Sequence, residues 1–153
     1  RIAPFLVNPA NRAHIKPEAL WEHDQSLNLT GSQLMAASAS RTRFYLSMLA
    51  LFEQFDVLAI PVSQVWPFDI GLRWPQSVSG RAMDTYHRWM EVVIYATFAG
   101  LPSISVPAGF GENGLPMGLA LIGKPQGDLA LLKLAHAYEM ANLDMINRRP
   151  PGV

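Results

Sequence analysis

The sequence predicts an α/β fold in which three or more short strands form one sheet with helices packed on it. Three observations carry that expectation. Two apolar runs, Ser103–Val106 and Met117–Ile122, flank a segment holding Gly109, Gly111, Gly114 and Pro116, the pattern of strands joined by a turn-rich connection. The second run is apolar at almost every position, so it should be covered on both faces, as interior strands of an α/β sheet are. Stretches with helical spacing stand before and after these strands, from Leu34 to Phe55, Gly80 to Phe98 and Asp128 to Ala141.

Taken in order, residues 1–16 contain Pro4, Pro9 and two Asn without a period, which reads as extended or loop. Pro17-Glu18-Ala19-Leu20-Trp21 has proline at a first turn with an acid beside it, a helix start. His14 and His23 flank it with nothing at metal-ligand spacing, and solvated or capping roles are expected. Thr30 followed three residues on by Gln33 makes a capping box. Leu34, Tyr45, Met48, Phe52 and Phe55 then form the apolar face of a helix about 37 Å long at 1.5 Å per residue, with small residues Ala36 to Ser40 in its middle. Ser38 and Ser40 have no accompanying base or glycine-rich elbow, so a packing or surface role is expected.

Asp56–Ile60 reads as a short buried strand stopped by Pro61. The connection from Val62 to Ser79 carries Trp66, Phe68 and Trp74, too aromatic for disorder. Two readings are open for it: a pocket wall, or a surface packed on another part of the protein. Gly80–Phe98 reads as one helix, with Arg81, Asp84, Arg88 and Glu91 on a polar stripe of alternating charge. Met83, Tyr86, His87, Met90, Val93, Ile94 and Thr97 fall on the opposite, buried side. In the hairpin, Ser103-Ile104-Ser105-Val106 alternates, and Asn113-Gly114 is the expected reversal. The last helix is expected to open with Asp128 as its N-cap and to bury Leu131, Leu134, Ala135 and Tyr138, leaving His136 outside. The tail from Asn147, N-R-R-P-P-G-V, cannot continue it.

Composition narrows the function classes. The 153 residues are 50% apolar and 16% charged, few charges for a small free-standing domain, which suggests a piece of something larger. Net charge is zero and no basic tract is present, against nucleic acid or an anionic membrane as partner. No apolar run approaches the roughly 20 residues that span a bilayer. The absence of cysteine removes a thiol nucleophile and favours a reducing cytoplasm. An opening at Arg1, without a secretory signal's apolar core, fits a cut from a longer chain, and makes the Asn28-Leu29-Thr30 sequon an accidental match.

The stretch G-L-P-S-I-S-V-P-A-G-F at Gly100–Phe110, a short spacer, and G-L-P-M-G-L-A-L-I-G at Gly114–Gly123 resembles the C-terminal core of the amidase signature family, serine hydrolases that cleave carboxamides. F-D-V-L-A-I-P at Phe55–Pro61 and the helix Asp128–Ala141 extend the resemblance over about two-thirds of the chain. Two positions depart from it: Ala120 stands where the family usually has Gln, and Val62 where Thr commonly follows the proline.

The resemblance implies the C-terminal portion of that fold, short mixed-sheet strands covered by helices, with residues 1–153 as the C-terminal part of a single amidase domain. It implies acyl-enzyme hydrolysis of carboxamide C–N bonds by a Ser–cis-Ser–Lys triad, without cofactor or metal. The resemblance implies that the triad and its Gly/Ser-rich core lie upstream of everything in this chain; no G-G-S-S-type stretch occurs, and Lys16, Lys124 and Lys133 have no such partners, so no catalytic residue is assigned and the chain alone is expected to be inactive. Carried over by position, the acyl side of the pocket falls on Tyr86, His87, Met90 and Ile94, which either contact substrate or pack in the core. Members acting on glutamine-like groups tend to have an acid where Met90 stands, so an apolar or aromatic amide is the expected substrate. The alternative is a non-catalytic binding module or a subunit that complements a partner chain. Either way, exposed apolar surface is expected to promote association, with itself or with that partner.

Overall fold

The structure, a computed structural model, describes residues 2–148; positions 149–153 of the tail expected to end the last helix lie outside them. The chain divides into two compact units, one up to Thr42 and one from Arg43.

The first unit opens with 3-10 turns at Ala3–Val7 and Pro9–His14 rather than the expected loop. Pro4 and Pro9 fix φ at their starts, and the Asn8 side chain accepts the Ala10 N–H at 3.0 Å. Helix α1, Pro17–Ser26, follows with Pro17 at its first position, as expected. His23 is engaged: its Nδ1 lies 3.1 Å from Asp24, whose other oxygen accepts from Arg12 at 2.8 Å. The hydrogen bond to His23, followed by that to Arg12, holds the Asp24 carboxyl below its ordinary value.

Helix α2, Gly31–Phe52, starts at the anticipated capping box. The Thr30 N–H donates to Gln33 Oε1 at 2.9 Å, and the Gln33 N–H donates to Thr30 Oγ1 at 3.3 Å. Its apolar face is shorter than the periodicity suggests. Met48 and Phe52 are buried, but Leu34 is 64% exposed and Phe55, past the helix end, is 52% exposed. Residues 31–43 are all exposed, Ser38 and Ser40 among them.

In the second unit, β1 (Val57–Pro61), β4 (Ser103–Phe110) and β5 (Pro116–Gly123) form one sheet in the order β1-β5-β4. Both pairings are antiparallel, with Ala59 and Ile104 opposite Leu121; a parallel neighbour of the kind a mixed sheet has is not among the described residues. The central strand is the one expected to be covered twice. Leu121 joins Val106, Leu131 and Ala135 on one side. Ile122, at 1% exposure the most buried large side chain, joins Met48, Phe52, Ala96, Ala99 and Leu101 on the other. Strand β1 lies at an edge, where Pro61 removes no needed donor, and it is only half covered, with Ala59 exposed. Alternation in β4 holds, with Ser103 and Ser105 outward and Val106 buried. The reversal sits at Asn113-Gly114, where Gly114 takes φ +74° and Asn113 Oδ1 accepts the Leu115 N–H at 3.0 Å.

Helix α5, Asp128–Ala141, covers the sheet and is followed by α6, Leu143–Ile146. Its cap is Gly127 rather than Asp128, which is the first helical residue and there favours the helix dipole. Leu131 and Ala135 are buried, whereas Leu134 is 41% exposed. The Tyr138 hydroxyl donates to the Pro107 carbonyl at 2.7 Å, tying α5 to β4.

Candidate functional site

The four residues expected to line an acyl pocket lie in a segment that is not the single helix its periodicity suggests. Residues 77–82 form a hairpin, β2 (Ser77–Val78) and β3 (Arg81–Ala82), turned by Ser79 and Gly80 at φ +49° and +79°. Helix α3 then covers only Tyr86–Trp89, a 3-10 turn covers Glu91–Val93, and α4 covers Ile94–Ala99. Thr85 caps α3, its hydroxyl accepting the Arg88 N–H at 3.3 Å. Gly100 ends α4 in the left-handed region at φ +65°, with the Leu101 N–H returning to the Ala96 carbonyl at 3.0 Å.

A distant side chain sits at the break between α3 and α4. In a continuous helix the Val92 N–H would bond to the Arg88 carbonyl. Here the side-chain amide of Gln64 stands between them: its Oε1 accepts the Val92 N–H at 3.0 Å and its Nε2 donates to the Arg88 carbonyl at 3.4 Å. A side chain inserted into the backbone ladder is a recognised cause of a helix kink. The connection from Val62 to Ser79 is thereby fastened to the segment that carries the predicted site.

Charge pairing expected for a helical stripe survives the break. Arg88 donates to Asp84 at 3.1 Å and to Glu91 at 3.2 Å, and Arg81 on β3 lies 3.6 Å from Glu91. The hydrogen bond from Arg88 holds the Asp84 carboxyl below its ordinary value, and that same bond, with the attraction of both acids, raises Arg88.

Tyr86 is half-buried at the centre of a ring cluster, edge-on to Trp74 at 6.4 Å, Trp89 at 6.0 Å and His87 at 6.0 Å. Phe68 meets Trp89 edge-on at 5.7 Å. Such edge-to-face contacts suit the ring quadrupoles. Phe68 and Trp74 of the long connection therefore pack on α3. His87 is exposed, whereas Met90, at the end of α3 with φ −115° and ψ 17°, and Ile94, at the start of α4, are half-buried. The structure thus brings Tyr86 and His87 together and sets Met90 at the break, but Ile94 belongs to a separate helix.

Sequence reasoning missed Gln64, which carries no periodic signal, and the Trp89 indole N–H, which is shielded from solvent and has no acceptor among the described residues. A buried donor without a partner is costly. Among the described residues, two cavities that include none of the four predicted residues open elsewhere. One of about 540 Å³ is lined by Trp66 and Phe110–Asn113, and one of about 370 Å³ lies between β4 and α5. Lys124 is paired with Asp56 at 3.0 Å, and no cluster of three His, Cys, Asp or Glu side chains occurs among the described residues.

Comparison with known proteins adds what geometry alone does not. The family described as Amidase matches residues 13–132, starting well before the Phe55 boundary of the motifs. The chain is 35% identical over 117 residues to a glutamyl-tRNA(Gln) amidotransferase subunit of Myxococcus xanthus (strain DK1622), covering 76% of this chain and 23% of that protein. It is 34% identical over 142 residues to a fatty acid amide hydrolase of Oryza sativa subsp. indica, covering 87% of this chain and 22% of that protein. Among solved structures, a bacterial aryl acylamidase of the amidase signature family superposes with a TM-score of 0.77 at 30% identity, over 92% of this chain and 30% of that one. The chain thus spans about a quarter of the length of these relatives. With all the strands, the central hairpin and the start of α5 inside the matched region, the chain belongs to the amidase family.

Proposed function

We propose that this chain is the C-terminal part of an amidase and that it supplies the acyl-side pocket wall, while the nucleophile and proton shuttle lie in other parts of the enzyme. In that enzyme a serine attacks the amide carbonyl to form an acyl ester, the amine leaves with a proton, and water returns the acid. The carrying observation is the 30% identity to an aryl acylamidase of which this chain covers 30%. Tyr86, His87, Met90 and Ile94 form the wall in this reading. The aromatic surroundings of Tyr86 and the soft thioether of Met90 favour an apolar or aromatic amide. The cysteine-free composition favours the cytoplasm as its compartment.

Met90→Asp in the intact enzyme tests the assignment. A carboxylate beside an apolar acyl group is desolvated without a partner, so kcat/KM for a phenyl-bearing amide should fall roughly tenfold or more relative to a cationic amide. A variant that folds normally and leaves that ratio unchanged removes Met90 from the pocket. A second reading, a subunit that works beside a partner chain, is favoured by a different observation. One relative is itself one subunit of an amidotransferase, and this chain exposes Leu34 at 64%, Met35 at 71% and Leu129 at 66%. Co-purification of the intact protein with a second polypeptide supports it, and a lone polypeptide with full activity excludes it.

A further inference from the structure

We propose that Gln64 is a positioning residue for substrate selection: its side-chain amide replaces the Arg88–Val92 backbone hydrogen bond and so sets the angle between the part of the pocket wall on α3 and the part on α4. The inference rests on the assignment of Tyr86, Met90 and Ile94 to that wall.

The geometry is specific in three ways. The two groups Gln64 engages are each other's natural partners at i and i+4, so the amide replaces one particular backbone bond. A carboxamide offers one acceptor and one donor group, and here the acceptor meets an N–H while the donor meets a carbonyl. The tie is also long-range, 24 and 28 residues along the chain, so it couples the wall to the connection that brings Phe68 and Trp74 onto α3. Arg88 spans the same break, holding Asp84 before it and Glu91 after it.

Without the inserted amide, the Arg88 carbonyl and the Val92 N–H have each other to bond. Closing that bond, with Met90 moving from φ −115°, ψ 17° to helical values and the 3-10 turn at Glu91–Val93 relaxing with it, continues α3 into α4 and turns Tyr86 and Met90 relative to Ile94. A wall shaped for a large acyl group then loses its fit, while a small aliphatic amide, which touches less of it, is little affected.

The test uses Gln64→Met in the intact enzyme, close to isosteric but with neither hydrogen bond, with a crystal structure and kinetics on an aryl amide and on propionamide. We expect the Arg88 carbonyl and Val92 N–H to come within hydrogen-bonding distance. The aryl-to-propionamide ratio of kcat/KM should fall about tenfold, mainly through KM, since a misplaced wall weakens binding more than chemistry. A structure that keeps the break without Gln64 overturns the proposal. So does a closed helix with an unchanged ratio when Met90→Asp does shift substrate preference, because the wall is then real but not set by Gln64. If Met90→Asp has no effect either, the wall assignment itself fails, and the selection role of Gln64 with it. Should Gln64→Met not fold, Gln64→Glu keeps an acceptor for Val92, and a smaller shift in the same direction is expected; an unchanged ratio there overturns the proposal equally.

Discussion

Replacing Leu121 with alanine tests the central strand of the sheet. Leu121 is 6% exposed on the central strand, opposite Ala59 and Ile104, and packs with Val106, Leu131 and Ala135. The substitution removes three carbons, or about 2.4 kcal/mol of transfer free energy at ~0.8 kcal/mol each. A cavity term adds to that, because the surroundings collapse only in part. Val106 is held in a neighbouring strand, and Leu131 and Ala135 sit one turn apart on a helix that Tyr138 fastens to Pro107. Measured Leu→Ala costs run about 2–5 kcal/mol, and a wall held this way places the expected loss at about 3–4 kcal/mol. Urea unfolding followed by far-UV circular dichroism reads it as a lower midpoint at unchanged slope. Leu129→Ala on the same helix, 66% exposed, is the control and should stay within about 0.5 kcal/mol of the parent. If the two variants unfold at the same midpoint, β5 is not a core strand and the two-sided packing around it is wrong.

Two further outcomes follow from close contacts and from charge. A Cβ on Gly118 would stand 2.8 Å from Val62 Cγ2 and 2.9 Å from Ser105 Oγ, so Gly118→Ala should lower stability by about 1–3 kcal/mol, the range for overpacking; an unchanged urea midpoint would contradict it. Asp84 has its folded pKa depressed below 3.8, chiefly by the Arg88 hydrogen bond. The unfolded state therefore takes up the proton first, and the stabilisation is present above that value and lost as pH falls through the folded pKa. Asp24 behaves the same way through His23 and Arg12. Asp84→Asn should thus make the acid side of a stability-versus-pH curve less steep without abolishing it, and a slope identical to the parent's would show that the Arg88 pair does not persist in solution.

The parts of the fold that sequence makes legible are those where one local pattern decides. Thr30 and Gln33 announce a helix start because both partners of the cap are three residues apart, and Met117–Ile122 announces a central strand because nothing along it tolerates water. Asn113-Gly114 marks its turn for the same local reason. Periodicity fails where a distant residue intervenes. Gly80–Phe98 has a helical pattern throughout, yet its first residues turn a hairpin and Thr85 starts a new helix, while further on the amide of Gln64, remote in sequence, occupies the Arg88 carbonyl and the Val92 N–H that a continuous helix would pair. Ser79-Gly80 could have flagged a hairpin turn, but two-residue strands leave no alternation to read. Leu34 carries the right spacing for a buried face and is exposed, since no described residue covers that part of α2. At the candidate site, Tyr86 and the aromatic residues around it are visible in sequence as residue types, whereas the edge-on cluster they form with Trp74 and the orphaned Trp89 N–H are properties of packing.

The division of labour between this chain and the rest of an amidase is tested most directly by assaying both. The longer protein carrying these residues, and residues 1–153 alone, are purified and given the same panel of aryl and alkyl amides, with and without a serine-directed inhibitor. Inhibitor-sensitive turnover of aryl amides is expected from the longer protein and none above background from the isolated chain, if, as proposed, the acyl-transfer groups lie in other parts of the enzyme. Turnover by residues 1–153 that survives repurification and is abolished by the inhibitor would contradict it, because the nucleophile would then lie within this chain.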